Sequence, residues 1–220
     1  MKKITSHVYH VGDSGCSVFL IDTASEDGLV LIDCGMSLEM IKNIAEFGLN
    51  PKEIQHCILT HFHIDHIGAC FELKNFNKSM KFYAHELDAK PIEEKGHDEK
   101  TAASWYNVDY RPIVLEKKIK NDNETLQFGN TKFQCIHTPG HTPGSICVYI
   151  KIDEKNILFG QDIHGPFYST FGSSLTDYQK SMQKLLKLDI DILCEGHYGI
   201  FQPKEEIYKY IKKHMNLNKP

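Results

Sequence analysis

Three histidines and an aspartate fall within the run Thr60-His61-Phe62-His63-Ile64-Asp65-His66. In an extended chain, residues two apart point the same way, so His61 and His63 can grip one ion. If the chain then turns into a helix, Asp65 and His66 face a neighbouring position, where a second ion fits. Imidazole with carboxylate suits zinc, with iron or manganese as the alternatives. Three more candidates lie downstream. His141 sits in HTPGHTPGS, Asp162 ends NILFGQD and His197 ends DILCEGH. Each stands where an apolar run stops and a Gly-rich turn begins, and loops at strand ends are where α/β layers carry chemistry. Any one of these positions alone is an ordinary turn residue; the set together points to metal.

The chemistry that such a set serves is hydrolysis. Two ions about 3.5–4 Å apart share a water and lower its pKa from 15.7 towards about 7, which supplies a hydroxide at neutral pH. A metal also polarises a carbonyl and steadies the oxyanion that follows. No serine or cysteine nucleophile is needed, and neither a G-x-S-x-G elbow nor a G-x-x-x-x-G-K-[ST] phosphate loop occurs.

The elements that must position these residues read as follows. VYHV, CSVFLI and GLVLID are short strands separated by turn residues. Residues 37–47 have helical spacing, with Ser37 as N-cap and Gly48 just past the end. HCILT is a buried strand that ends at His61, HIGACFELKNF a second helix and MKFYAH a further strand. Residues 86–124 differ in character: they are charged, contain Pro91, Gly96 and Pro112, and carry Trp105, Tyr106 and Tyr110. They read as a partly helical insertion that shapes a substrate pocket. Strands resume at TLQFG, TKFQCIHT, SICVYIKI and NILFGQD, the first two joined as a hairpin at Gly129-Asn130. A helix over 175–188, the strand DILCEGH and a last helix opened by Pro203 complete the chain. Strands then helix, twice over, predict one α/β domain over residues 1–220. Its two sheets pack face to face with helices outside, in four layers αββα.

Composition narrows the class. The 220 residues carry Lys+Arg 25 against Asp+Glu 29, a net charge of −4, which gives no footprint for nucleic acid or an anionic membrane. A small-molecule substrate is expected, with no oligomeric state implied. The 7 cysteines are scattered through apolar runs without a C-x-x-C pair, so reduced buried thiols and a cytoplasmic location are expected. Lys2 and Lys3 have no apolar segment behind them, so no secretory signal is expected. No run is long and apolar enough to span a membrane.

With these motifs in order, the sequence resembles the metallo-β-lactamase-fold hydrolase superfamily, whose pattern is H-x-H-x-D-H, then His, Asp and His. The resemblance covers nearly the whole chain. It implies that His61, His63 and His141 hold the first metal, and that Asp65, His66 and His197 hold the second. Asp162 bridges both, and two zinc ions are the implied cofactor. Asp65 would also orient the nucleophile. Asp33, in LVLIDCG, matches the family's structural aspartate beneath the metal loop, although a turn residue at a strand end is an equal reading there.

Within the superfamily, true β-lactamases generally lack the bridging aspartate, and flavo-diiron relatives carry Glu at the position of His63. The processing nucleases carry RNA-gripping additions. Glyoxalase II resembles this chain in its metal motifs and in TPGHTPGS, but usually adds a C-terminal helical domain; 23 residues follow His197 here. Persulfide dioxygenases use one iron, held at positions matching His61, His141 and Asp162, and carry a G-R-x-D-F segment where this chain reads GPFYSTFGSS. Lactonases match the metal set equally well. The expectation is therefore a dinuclear hydrolase whose metal-bound hydroxide attacks an ester, thioester or lactone carbonyl. A single-domain glyoxalase II-type thioesterase and a mononuclear iron persulfide dioxygenase are the alternatives. Around the metals, His164 is placed to protonate a leaving group, and Tyr168 and Tyr198 to donate to an oxyanion. Trp105, Tyr106 and Tyr110 either roof the pocket or pack into the body.

Overall fold

The computed structural model describes every residue except Ser14. Its first half builds a seven-stranded sheet in chain order: β1 (Lys2–Lys3), β2 (Val8–His10), β3 (Phe19–Asp22), β4 (Leu29–Ile32), β5 (Ile54–Ile58), β6 (Lys81–His85) and β7 (Lys117–Ile119). β1 to β4 pair antiparallel and β4 to β7 parallel. The parallel crossovers carry α1 (Glu39–Glu46), then α2 (Ile64–Ile67) with α3 (Cys70–Phe76), then α4 (Glu86–Glu93) with α5 (Ala103–Tyr106). The second half builds a six-stranded sheet from β8 (Asn123–Phe128), β9 (Thr131–His137), β10 (Ile146–Ile152), β11 (Lys155–Phe159), β12 (Ile192–Cys194) and β13 (Ile200–Phe201). α6 (Leu175–Leu185) crosses between β11 and β12, the one parallel pair of that sheet, and α7 (Lys204–Leu217) follows.

Period-two alternation explains why the strands read as nearly continuous apolar runs. Phe19, Ile21, Val30 and Ile32 point into a core between the sheets, where they meet Phe133, Val148, Ile157 and Phe159. Their neighbours Leu20, Leu29 and Leu31 point the other way, onto Met40 and Ile44 of α1 and Leu73 of α3. In the second sheet Cys147, Leu158 and Leu193 face Met182 and Leu185 of α6 and Ile207 and Ile211 of α7. Both faces of each sheet are therefore buried, and the fold is the αββα four-layer sandwich.

Local details depart from the expected boundaries. The helix over 37–47 begins two residues later: Ser37 Oγ accepts from the Glu39 amide at 3.3 Å, and Gly48, at φ 78°, closes the end. The helix HIGACFELKNF is two short helices that start earlier, at Ile64, and break at Gly68 and Ala69. Tertiary contacts impose the break, because the Ala69 amide donates to Gly35 O and a Cβ on Gly68 would meet Ile64 O at 2.7 Å. Residues 86–124 are less of an appendage than their composition implies. Their first part forms α4, and their last part supplies β7 and the start of β8, so both ends belong to the frame.

Candidate metal centre

The loop after β5 and the N-terminus of α2 carry His61, His63, Asp65 and His66, all buried. The loops after β9 and β11 bring His141 and Asp162, and the turn after β12 brings His197. Ends of both sheets thus meet at one edge of the sandwich. His63 Nδ1 lies 3.1 Å from His61 Nε2 and 2.9 Å from His141 Nε2. Asp162 Oδ2 lies 3.5 Å from His141 Nε2 and 4.0 Å from His61 Nε2. The same Oδ2 stands 3.3 Å from His197 Nε2, and Asp162 Oδ1 stands 3.3 Å from His66 Nε2. His197 Nε2 is also 3.3 Å from Asp65 Oδ2 and from His66 Nε2. All seven residues named from the sequence converge in two groups that share Asp162.

This donor set fits divalent ions. A tetrahedral site with metal–ligand bonds of about 2.1 Å has donor atoms about 3.4 Å apart, the scale of the separations here. Burial and neighbouring imidazoles hold His61 and His63 well below the usual histidine range, and burial lowers His141 to about 4. Neutral imidazoles keep a lone pair that a metal ion can use. Asp162 Oδ1 is a buried acceptor without a hydrogen-bond partner. The second group is charged differently. Burial opposes ionisation of His66 and His197, but their neighbours outweigh it: Cys16 and the carboxylates of Asp162, Asp33 and Asp65 hold His66 well above its ordinary value, and Asp162 and Asp65 raise His197 to about 10. Burial likewise raises Asp65 and Asp162, and His66 and His197 more than reverse it, leaving both low.

The outward nitrogens of His61, His66 and His141 are held by the fold, as metal-ligating histidines generally are, whereas His63 Nε2 is buried without a partner. Asp33, left-handed at φ 59°, accepts from the Thr60 amide and Thr60 Oγ1, both at 2.7 Å, and faces His66 Nδ1 at 2.8 Å. His141 Nδ1 lies 2.7 Å from Pro166 O, and His61 Nδ1 3.0 Å from Thr60 Oγ1. Asp88, which sequence reasoning missed, is a fully buried carboxylate on α4. It accepts from the Phe62 amide at 3.2 Å, Thr142 Oγ1 at 2.7 Å and the Gly144 amide at 2.6 Å. It thereby pins the first ligand loop to the His141 loop. Gly144 is required there, since a Cβ would meet Asp88 Oδ1 at 2.5 Å. Cys16, read as one more buried thiol, stands 3.5 Å from His66 Nδ1 beside the second group.

The other candidates separate. Phe171, unmarked in the sequence, packs on His63 with ring centroids 4.2 Å apart, and Trp105 lies over Phe171 at 5.2 Å and Tyr168 at 5.6 Å. Trp105 and Tyr168 thus form an exposed aromatic rim above the three-histidine group. Tyr106 is half exposed, and burial together with Asp65 raises its phenol above the ordinary value. Tyr110 does not join this rim. It is 5% exposed, packed among core residues, with its hydroxyl donating to Ile92 O at 2.9 Å; an aromatic in an amphipathic stretch went to the core. His164 Nδ1 lies 2.6 Å from Glu195, and the exposed Tyr198 packs edge-on against His164 at 4.6 Å. A cavity of about 280 Å³ opens beside His197, lined by Lys2, His10, Cys16 and Ile200 among others.

Comparison with known proteins supplies the context. The family described as Metallo-beta-lactamase superfamily matches residues 11–197. A hydroxyacylglutathione hydrolase of Haemophilus influenzae is 29% identical over 194 residues, covering 84% of this chain and 85% of its own. An acyl-coenzyme A thioesterase of Gallus gallus is 22% identical, covering 97% of this chain and 82% of its own. Among solved structures, a B3 metallo-beta-lactamase with an active-site glutamic acid superposes with a TM-score of 0.83 at 22% identity, over 98% of this chain and 87% of its own, which is a likeness of fold.

Proposed function

The chain belongs to the metallo-beta-lactamase superfamily, and we propose that it is a dinuclear metal-dependent hydrolase that cleaves an activated acyl bond, with a thioester as the leading substrate class. The observation that carries this reading is the single Asp162 carboxylate facing two donor groups at 3.3–4.0 Å. His61, His63 and His141 would hold one ion, Asp65, His66 and His197 the other, and Asp162 both. Zinc is the ion that best suits this imidazole-rich set. When bound, such ions acidify water and polarise a carbonyl oxygen.

The chain's own residues supply the rest. Asp65 is an acceptor at the edge of the second group, suited to orient an attacking water. His164, with Nδ1 engaged by Glu195, leaves Nε2 free to take a proton from the attacking water and pass it to a departing group. The rim of Trp105 and Tyr168 offers an apolar wall for the acyl part, and the cavity beside His197 offers room for the leaving group. The thioester class is favoured over ester and lactone because two relatives of similar length bear hydrolase names of that kind, one for hydroxyacylglutathione and one for acyl-coenzyme A.

The substrate is proposed to be a small molecule, with neither nucleic acid nor membrane as partner: the net charge is −4, and no helix among the described residues is long and apolar enough to cross a bilayer. Seven free cysteines, all buried, suit the cytoplasm. Metal analysis of the purified protein with a panel of thioester, ester, lactone and persulfide substrates tests the reading. Two zinc ions per chain and thioester turnover are expected. One iron per chain with oxygen uptake on a persulfide would overturn it.

A further inference from the structure

We infer that Glu195 is a positioning residue for the second metal position, holding His197 and His164 in register through one buried carboxylate. The inference rests on the reading of His197 as a ligand of that position. Glu195 is completely buried, at the turn that follows β12. Its Oε2 accepts the His197 and Tyr198 amides, each at 2.8 Å, and its Oε1 accepts from His164 Nδ1 at 2.6 Å. Three donors from two separate loops thus converge on one side chain.

The backbone leaves that side chain no substitute. Glu195 N donates to Gly199 O at 2.9 Å and Gly196 N to Gln161 O at 3.2 Å, which draws the turn onto the Asp162 loop. A Cβ on Gly196 would meet Asp162 Oδ1 at 2.2 Å, so the chain between Glu195 and His197 runs directly against the shared carboxylate. The amides of His197 and Tyr198 lie outside any helix or sheet ladder, and the Glu195 carboxylate is what satisfies them. The same carboxylate fixes the Nδ1–H tautomer of His164, whose ring stands edge-to-face to His197 at 5.5 Å. A shift of Glu195 therefore moves a metal ligand and a rim imidazole together. Nothing in Glu195's contacts reaches His61, His63 or His141, so the three histidines of the first position are left in place.

The test is Glu195→Gln, which keeps size and one acceptor oxygen but turns an NH₂ either on the two amides or on His164 Nδ1. Metal-free wild type and variant are titrated with Zn²⁺ by calorimetry and with Co²⁺ by visible absorption. Thermal melts and imidazole ¹⁵N shifts are recorded on the same samples, with Glu195→Ala as a second variant. The expected result is unchanged affinity for the first ion, affinity for the second lowered about 10–100-fold, and a change of His164 tautomer. Loss of both affinities to the same degree, or a lowered melting temperature with both affinities intact, would mean a structural role only and overturns the proposal. Wild type that takes up two ions alongside a Glu195→Gln protein that takes them up equally well overturns the proposal alone. Wild type that takes up a single ion overturns the two-ion reading and the proposal with it.

Discussion

The two donor groups of the centre share a carboxylate but are built in opposite ways. Around His61, His63 and His141 the site is buried and lined by neutral imidazoles, with Phe171 packed on His63. Around Asp65, His66 and His197 it is opener and more strongly paired in charge: His197 is 23% exposed, borders a cavity, and is held above its ordinary value by two carboxylates. The first group is imidazole lowered by burial; the second pairs imidazole with carboxylate, each holding the other towards its charged form. Preorganisation without a metal is thus achieved by burial on one side and by ion pairing on the other.

Asp162 is where this contrast can be broken outright, because it belongs to both groups. Asp162→Ala should lower turnover by at least about 100-fold, since loss of a mere outer partner of a metal site already costs about 10–100-fold. The three histidines of the first group should still hold one ion. Steady-state kinetics with metal counting checks this, and near-native turnover with two ions bound would refute the shared-carboxylate reading.

Asp88 should act on the first group alone. It joins the Phe62 amide, Thr142 and Gly144, so Asp88→Asn puts an amide donor against donors. Affinity for the first ion should fall about 10–100-fold. A stability signature accompanies it. Burial raises Asp88 from 3.8 to about 7 despite its hydrogen bonds, so between those values the folded chain keeps a proton that the unfolded chain has released. Stability therefore falls as pH rises from about 4 to about 7, and this component disappears in the Asn variant. Denaturant melts across that range measure it.

Loading should differ with pH. His61, His63 and His141 are neutral near pH 7, so the first ion should bind with little proton release and little pH dependence between about pH 6 and 8. His197, held up to about 10, must lose its proton to accept a metal. The second ion should release protons, and its affinity should rise about tenfold per pH unit for each proton released. Calorimetry in buffers of different ionisation enthalpy separates the two steps; equal proton release at both would erase the contrast.

What the sequence disclosed follows the same division between local and distant causes. The ligand run was legible because His61, His63, Asp65 and His66 are neighbours whose spacing translates directly into direction. The four layers were legible because strands buried on both faces leave near-continuous apolar runs. Asp88 and Glu195 were not legible, since one carboxylate among 29 acidic residues looks like any other until folding surrounds it with amides from distant segments. The break at Gly68 was hidden for the same reason: it answers to Gly35, far back in the chain. Composition marks the charged middle of residues 86–124 but not the β7 pairing at Lys117–Ile119 that anchors their end.

The smallest expected effect concerns the aromatics of that segment, and it sharpens which side of the centre faces the acyl group. Trp105 is 56% exposed and touches Phe171 and Tyr168 above the first group, so it is a rim residue and not a core residue. Trp105→Ala removes a large flat surface at the rim without opening a cavity in the interior, and metal content should stay the same. An aromatic contact is worth about 0.5–1.5 kcal/mol, so KM for an apolar acyl substrate should rise roughly 2–12-fold. A wall that binds ground state and transition state alike leaves kcat close to its original value. Tyr110 is the internal control. Only 5% exposed, it donates to Ile92 O, so Tyr110→Phe should cost about 1 kcal/mol of stability and leave KM untouched. If Trp105→Ala melts earlier but keeps its KM, the wall has been misplaced. The acyl group would then have to be sought at the cavity beside His197, where Cys16→Ala and Ile200→Ala would be the variants to move KM.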